Sequence, residues 1–195
     1  MPRLQAAQGG RRAVPQRSAR ACRRGVAFAG AVCLGWLAGC APALDWREVR
    51  VEGREAAVLL PCKPSAHARQ VRLGEDSVKL TLQACQAAGM TWGMASADVV
   101  DPTRVGAALQ ALREASAGNL GSPTEAALPL KVAGATPQAA SGRAAYAGRR
   151  PDGQPVQAQV AVFSHGTVVY QATVIGERLS AEAADTFFGS LRLGG

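Results

Sequence analysis

Over much of this chain apolar and polar residues alternate with a period of two, and turn residues interrupt the alternation at short intervals. That pattern predicts short strands joined by hairpins. The last third is the clearest. Residues 143–149 and 155–164 flank Pro151-Asp152-Gly153, where Pro presets φ and Gly supplies a positive φ. Residues 155–164 and 167–176 flank His165-Gly166, a second tight turn. Upstream, residues 68–73 and 77–85 flank Gly74-Glu75-Asp76, which predicts another hairpin. In its second arm Val78, Leu80, Leu82 and Ala84 alternate with Lys79, Thr81, Gln83 and Cys85. Residues 90–99 continue as a strand, and 55–60 form an apolar run closed by Pro61 and Pro64. A further strand is expected near 127–134, before a connection at about 135–142.

Two segments change period. Asp101-Pro102 reads as an N-cap followed by proline at the first helical position. Val105, Ala108, Leu109, Leu112 and Ala115 then recur at helical spacing. Gly118 to Pro123 ends that helix in a loop. Ser180 caps a second helix, whose apolar face is Ala183, Ala184, Phe187, Phe188 and Leu191. The expected class is α+β, with a single antiparallel β-sheet flanked by two helices.

The N-terminus obeys a different logic. Residues 1–24 carry seven arginines and no acid, and Gly25 to Gly39 is a run of fifteen uncharged residues. The run is shorter than the roughly 18–20 residues of a spanning helix and has the layout of a secretory signal. It ends in Leu37-Ala38-Gly39-Cys40, which resembles a bacterial lipobox. The resemblance implies signal cleavage between Gly39 and Cys40 and lipidation of Cys40. An uncleaved anchor and a conventional signal peptide are the competing readings. Each of the three exports the C-terminal part, because the arginines hold the N-terminus in the cytoplasm. On the lipoprotein reading, residues 1–39 are the signal peptide, 40–45 a lipidated tether and 46–195 a single periplasmic domain. In lipoproteins of this kind an Asp just after the Cys retains the protein at the inner membrane. Here Ala41-Pro42-Ala43 follow, so the expected address is the outer membrane, with the domain facing the periplasm.

Cleavage reshapes the composition. Of 22 Lys and Arg, seven precede Cys40, which leaves 15 against all 14 Asp and Glu. The formal +8 of the whole chain falls to near +1, and the case for a nucleic-acid partner goes with it. Among five cysteines, Cys22 and Cys33 lie in the signal and Cys40 is the lipidation site. Cys62 and Cys85 remain, and in an oxidising compartment they read as one disulfide. In the chain-entropy view such a loop contributes roughly 3–3.5 kcal/mol. A free-thiol or metal reading is the alternative, but the spacing is not CxxC and only two histidines, His67 and His165, could join them.

Catalytic motifs are sparse. Neither Gly121-Ser122-Pro123 nor Gly189-Ser190-Leu191 fits a nucleophile elbow, and there is no phosphate-binding glycine loop. Ser164-His165-Gly166 lies at an expected hairpin tip, where these are ordinary turn residues. Asp98 and Asp101 could pair as acids, although Asp101 is better explained as a helix cap. Trp46, Trp92, Tyr146 and Tyr170 are either packing residues or an aromatic patch facing a partner protein or glycan. Arg149-Arg150 is a solvated loop or a contact for acidic envelope components. No metal or cofactor is expected.

One further resemblance bears on the fold. Val168-Val169-Tyr170-Gln171-Ala172 followed by Ala184-Asp185-Thr186-Phe187-Phe188-Gly189-Ser190-Leu191-Arg192-Leu193 looks like the close of PsbP-like domains. Leu59-Leu60-Pro61-Cys62-Lys63-Pro64 is similar to the early strand of that fold. The chain also looks like a group of uncharacterised bacterial lipoproteins with a CKP…AC…DP…FFGSLR layout. These resemblances imply a non-enzymatic accessory or assembly factor of the cell envelope, held to the membrane through Cys40 and engaging an envelope protein partner. A small-molecule or glycan-binding module is the alternative, and a hydrolase the third reading.

Overall fold

The computed structural model describes residues 43–194 apart from 52, 53, 122, 123 and 151, all within the unit Cys40–Gly195. Its elements in chain order are β1 (Arg47–Arg50), β2 (Ala56–Leu60), β3 (Ser65–Leu73), β4 (Asp76–Ala87), β5 (Met90–Asp98), α1 (Val105–Gly118), β6 (Thr124–Leu128), β7 (Gly142–Arg149), β8 (Pro155–His165), β9 (Val168–Gly176), α2 (Ala181–Gly189) and β10 (Arg192–Leu193). The class is α+β, with two helices and antiparallel strand pairing throughout both sheets.

The expected single sheet is in fact two. Seven strands pair in the order β3-β4-β5-β9-β8-β7-β6, and a separate sheet pairs β1-β2-β10. The cause lies in Pro61 and Pro64. Neither offers an N–H to a ladder, so the chain leaves one sheet after β2 and enters another at β3. Cys62, between those prolines, is disulfide-bonded to Cys85 on β4, with Cα atoms 5.9 Å apart. The bridge ties the two sheets together across the break.

Each face of the large sheet carries a covering layer over its central strands. On one, α1 lays Val105, Ala108, Leu109 and Leu112 against Val156, Val160 and Val162 of β8 and Val169 of β9. On the other, α2 and the small sheet bury Phe187, Phe188, Val58 and Leu60 against Trp92, Met94, Phe163, Tyr170 and Val174. Strands buried on both faces read as near-continuous apolar runs, as Val160-Ala161-Val162-Phe163 does. Edge strand β3, in contrast, is exposed along most of its length and carries Arg69 and Arg72, charges that discourage unwanted strand pairing.

The capping predictions hold in detail. Asp101 accepts a hydrogen bond from the Thr103 N–H at 2.9 Å, opening a 3₁₀ turn (Pro102–Arg104) that runs into α1. Ser180 accepts from the Ala183 N–H at 3.3 Å at the start of α2. The strand expected near 127–134 is instead Thr124–Leu128, and the chain beyond it is irregular. Leu130, Val132 and Ala135 still pack on the core, so their apolar spacing reflects burial without a ladder. Two short strands, β1 and β10, were not expected.

Candidate functional site

Gly39 and Cys40 lie outside the described residues. The expected tether at 40–45 is described only from Ala43 onward. Leu44 already packs on the core and the Asp45 N–H donates to the Pro61 carbonyl at 2.8 Å, so the fold takes hold of the chain by residue 44.

The four aromatic candidates do not form a partner-facing patch. Trp92, Tyr146 and Tyr170 are buried core residues, and this corrects the aromatic-patch expectation for them. Trp92 projects from the centre of the large sheet, where a side chain of that size is covered by α2 and the small sheet. Trp46 is half-buried and meets Trp92 edge-to-face at 5.7 Å, and Trp92 meets Phe187 at 5.4 Å. These rings form a packing chain that holds the N-terminal segment to α2. Tyr170 stacks on Phe163, and burial raises its hydroxyl pKa above the ordinary value. Tyr146 is shifted upward by burial and by the Glu125 charge. Arg149 and Arg150 are exposed at the β7–β8 turn, where the Arg149 guanidinium donates to the Gly153 carbonyl at 2.9 Å.

Asp98 and Asp101 do not act as a carboxylate pair. Asp98 accepts from the Val100 N–H at 2.9 Å, the Thr167 hydroxyl at 2.8 Å and Arg54 Nη1 at 3.3 Å. The Val100 N–H and the Thr167 hydroxyl, followed by Arg54, hold its carboxyl below the usual range. Asp101 is likewise lowered, by its bonds to Thr103. Val100 between them has φ +64 and is 79% exposed, a left-handed conformation that β-branched residues disfavour. Among the described residues no group of three or more His, Cys, Asp or Glu gathers to hold a metal ion.

The most built concavity lies elsewhere, on the α1 face of the large sheet. α1 packs over β8 and β9 and leaves part of β3, β4, β5 and β9 uncovered beside it. The resulting groove, about 320 Å³, is floored by Leu80, Leu82, Ala84, Gly93, Ala95 and Ile175. Leu112, Ala115, Ser116 and Asn119 of α1 form its wall. Small residues make the space: a Cβ on Gly93 would come within 3.3 Å of Leu82 Cδ1. A polar brace fixes the width. Gln171 Nε2 on β9 donates to Ser116 Oγ at 3.2 Å, and Ser116 Oγ donates to the Leu112 carbonyl at 2.7 Å. Arg69 and Arg72 of β3 also line the groove, and no carboxylate does.

None of these groove residues was singled out as a site in the sequence. The alternation in β4 correctly put Leu80, Leu82 and Ala84 on one face. It could not say that α1 would stop short of covering them. That depends on the crossing of α1 over the sheet, which no local pattern encodes. In comparisons with known proteins, no family model matches the chain. No curated protein matches it either.

Proposed function

We propose that the protein is a lipoprotein of the outer membrane, facing the periplasm, acylated at Cys40 and serving as a non-enzymatic accessory or assembly factor of the envelope. The observation that carries this reading is the Leu37-Ala38-Gly39-Cys40 sequence at the end of an uncharged apolar run. Several acyl chains at about 0.8 kcal/mol per buried methylene make such an anchor effectively permanent. The Cys62–Cys85 disulfide suits an oxidising compartment, and the fold's grip on Leu44 suits a domain carried close to its anchor. A PsbP-like architecture is the finer fold reading. It is supported by the placement of Val168-Val169-Tyr170-Gln171-Ala172 on β9 and of Phe187-Phe188 at the end of α2.

Cys40→Ala tests the anchor: acylation and membrane retention should both be lost. A variant that stays membrane-bound in high salt would establish an uncleaved helical anchor instead. Affinity purification from detergent-solubilised membranes should recover a stoichiometric envelope protein, and repeated recovery of the protein alone would count against the assembly role.

The groove beside α1 favours a second reading, a small-molecule-binding module. Its apolar floor, convergent polar groups and unblocked mouth are the ordinary features of a ligand site.

A further inference from the structure

We propose that the groove beside α1 binds a single-chain anionic amphiphile, a fatty acid, with its hydrocarbon on the β4–β5–β9 floor and its carboxylate at Arg69. The inference rests on the second reading above, that the groove is a binding site, and names the class of ligand.

The apolar half of the case comes from what α1 leaves uncovered. Leu82 is 37% exposed and is one of two large apolar side chains exposed among the described residues. It sits over Gly93, in line with Leu80 and Ala84 along β4 and with Ile175 on β9, so the uncovered apolar atoms are continuous. Covering such a surface with hydrocarbon is favourable by about 25 cal/mol per Å². The volume, about 320 Å³, is at the lower end of ligand cavities, which span roughly 300–1,000 Å³. That volume matches one hydrocarbon chain better than two.

The charged half comes from the rim. Arg69 is directly opposite Leu80 in the β3–β4 ladder and therefore shares the groove face. Among the described residues, seven arginines have a carboxylate partner and five, Arg69, Arg72, Arg149, Arg150 and Arg178, have none; of these five only Arg69 lies on the groove face. With no Asp or Glu lining the groove, its formal charge on this face is the Arg69 cation; Arg72, opposite Ser77, belongs to the other face of the strand. A carboxylate at the outer edge would gain charge-assisted, fork-like hydrogen bonds from a guanidinium, and a neutral headgroup would not. An extended peptide strand added at the β3 edge is the competing occupant. It needs no continuous apolar floor reaching four strands inward.

The test uses the full chain in its own membranes, labelled with a diazirine-bearing fatty acid and, separately, with the matching primary alcohol. The acid should give adducts mapping to 80–84 or 91–95, exceeding those of the alcohol by about tenfold, the scale of one charge-assisted hydrogen bond. Arg69→Gln should bring the two labels level, and Arg72→Gln, on the other face of β3, should leave the difference standing. Ala115→Trp, from the exposed wall, should remove both. A urea unfolding transition retained by each purified variant reports that it has folded. Equal groove labelling by acid and alcohol in the native chain overturns the fatty-acid assignment and leaves the binding-site reading standing. Absence of groove adducts in folded protein overturns both.

Discussion

Gly148 on β7 lies against the turn that follows α1, and a Cβ built there would fall inside the van der Waals radius of the Leu120 carbonyl oxygen. That carbonyl accepts the Arg149 N–H at 3.3 Å, so the backbones cannot separate without losing the bond. Gly148→Ala should therefore lower stability by about 1–3 kcal/mol in a urea titration, the usual range for overpacking. Asp98 gives a prediction in pH. Its carboxyl is held below the ordinary value near 3.8, so the unfolded chain takes up that proton first as pH falls. The stabilisation is whole above that ordinary value and is lost as pH drops through the lower folded value. Asp98→Asn should make stability fall less steeply below about pH 4 by denaturant titration, with Asp101 supplying an acid-sensitive remainder. At this scale caps were legible because a cap is local: Asp101 and Ser180 bond within their own three residues. The burial of Trp92, Tyr146 and Tyr170 was not, because it depends on what packs over each ring.

Between elements, two contacts carry more than their size suggests. The disulfide joins the loop after β2 to β4 and so couples the small sheet to the large one. Cys62→Ser with Cys85→Ser should cost about 3 kcal/mol on the chain-entropy model, read as a lower denaturation midpoint that reducing agent reproduces in the native protein. The second contact is Arg143 on β7. Its guanidinium lies 4.1 Å from the Phe188 ring centroid, bonds Gln159 on β8 and pairs with Asp185 on α2 at 2.9 Å. Arg143→Lys should recover little of what Arg143→Ala loses, about 1–3 kcal/mol by thermal melting, because an ammonium cannot stack and fork at once. The hairpins were readable from alternation and turn chemistry. β1 and β10 were not, since Arg-Glu-Val-Arg and Arg-Leu owe their extended form to pairing with β2 and have little apolar pattern of their own. The groove shows the same limit: one face of β4 was legible, but the gap left beside α1 was not.

Across the molecule, strands buried on both faces should be the last to open. Amide hydrogen exchange should be slowest in β5, β9 and β8 and fastest in edge strands β3 and β6, and early protection of β3 would contradict this layering. The α+β class was legible because period-two and helical segments are separable along the chain. Its division into two sheets was not, since Pro61 and Pro64 announce a break without saying where the next strand will pair. The small sheet that results also has a mechanical meaning. β1 and β10 are both antiparallel to β2 and hence parallel to each other. The chain enters β1 opposite Leu60 and leaves β10 opposite Ala56, at opposite ends of the same central strand. Tension drawn between the N-terminal side and the C-terminal end therefore runs along the strands. The rungs on each side of β2 bear that load together, in shear, instead of opening one after another like a zipper. A domain tugged by its leading end is thus gripped by a clasp whose resistance comes from where its strands begin and end.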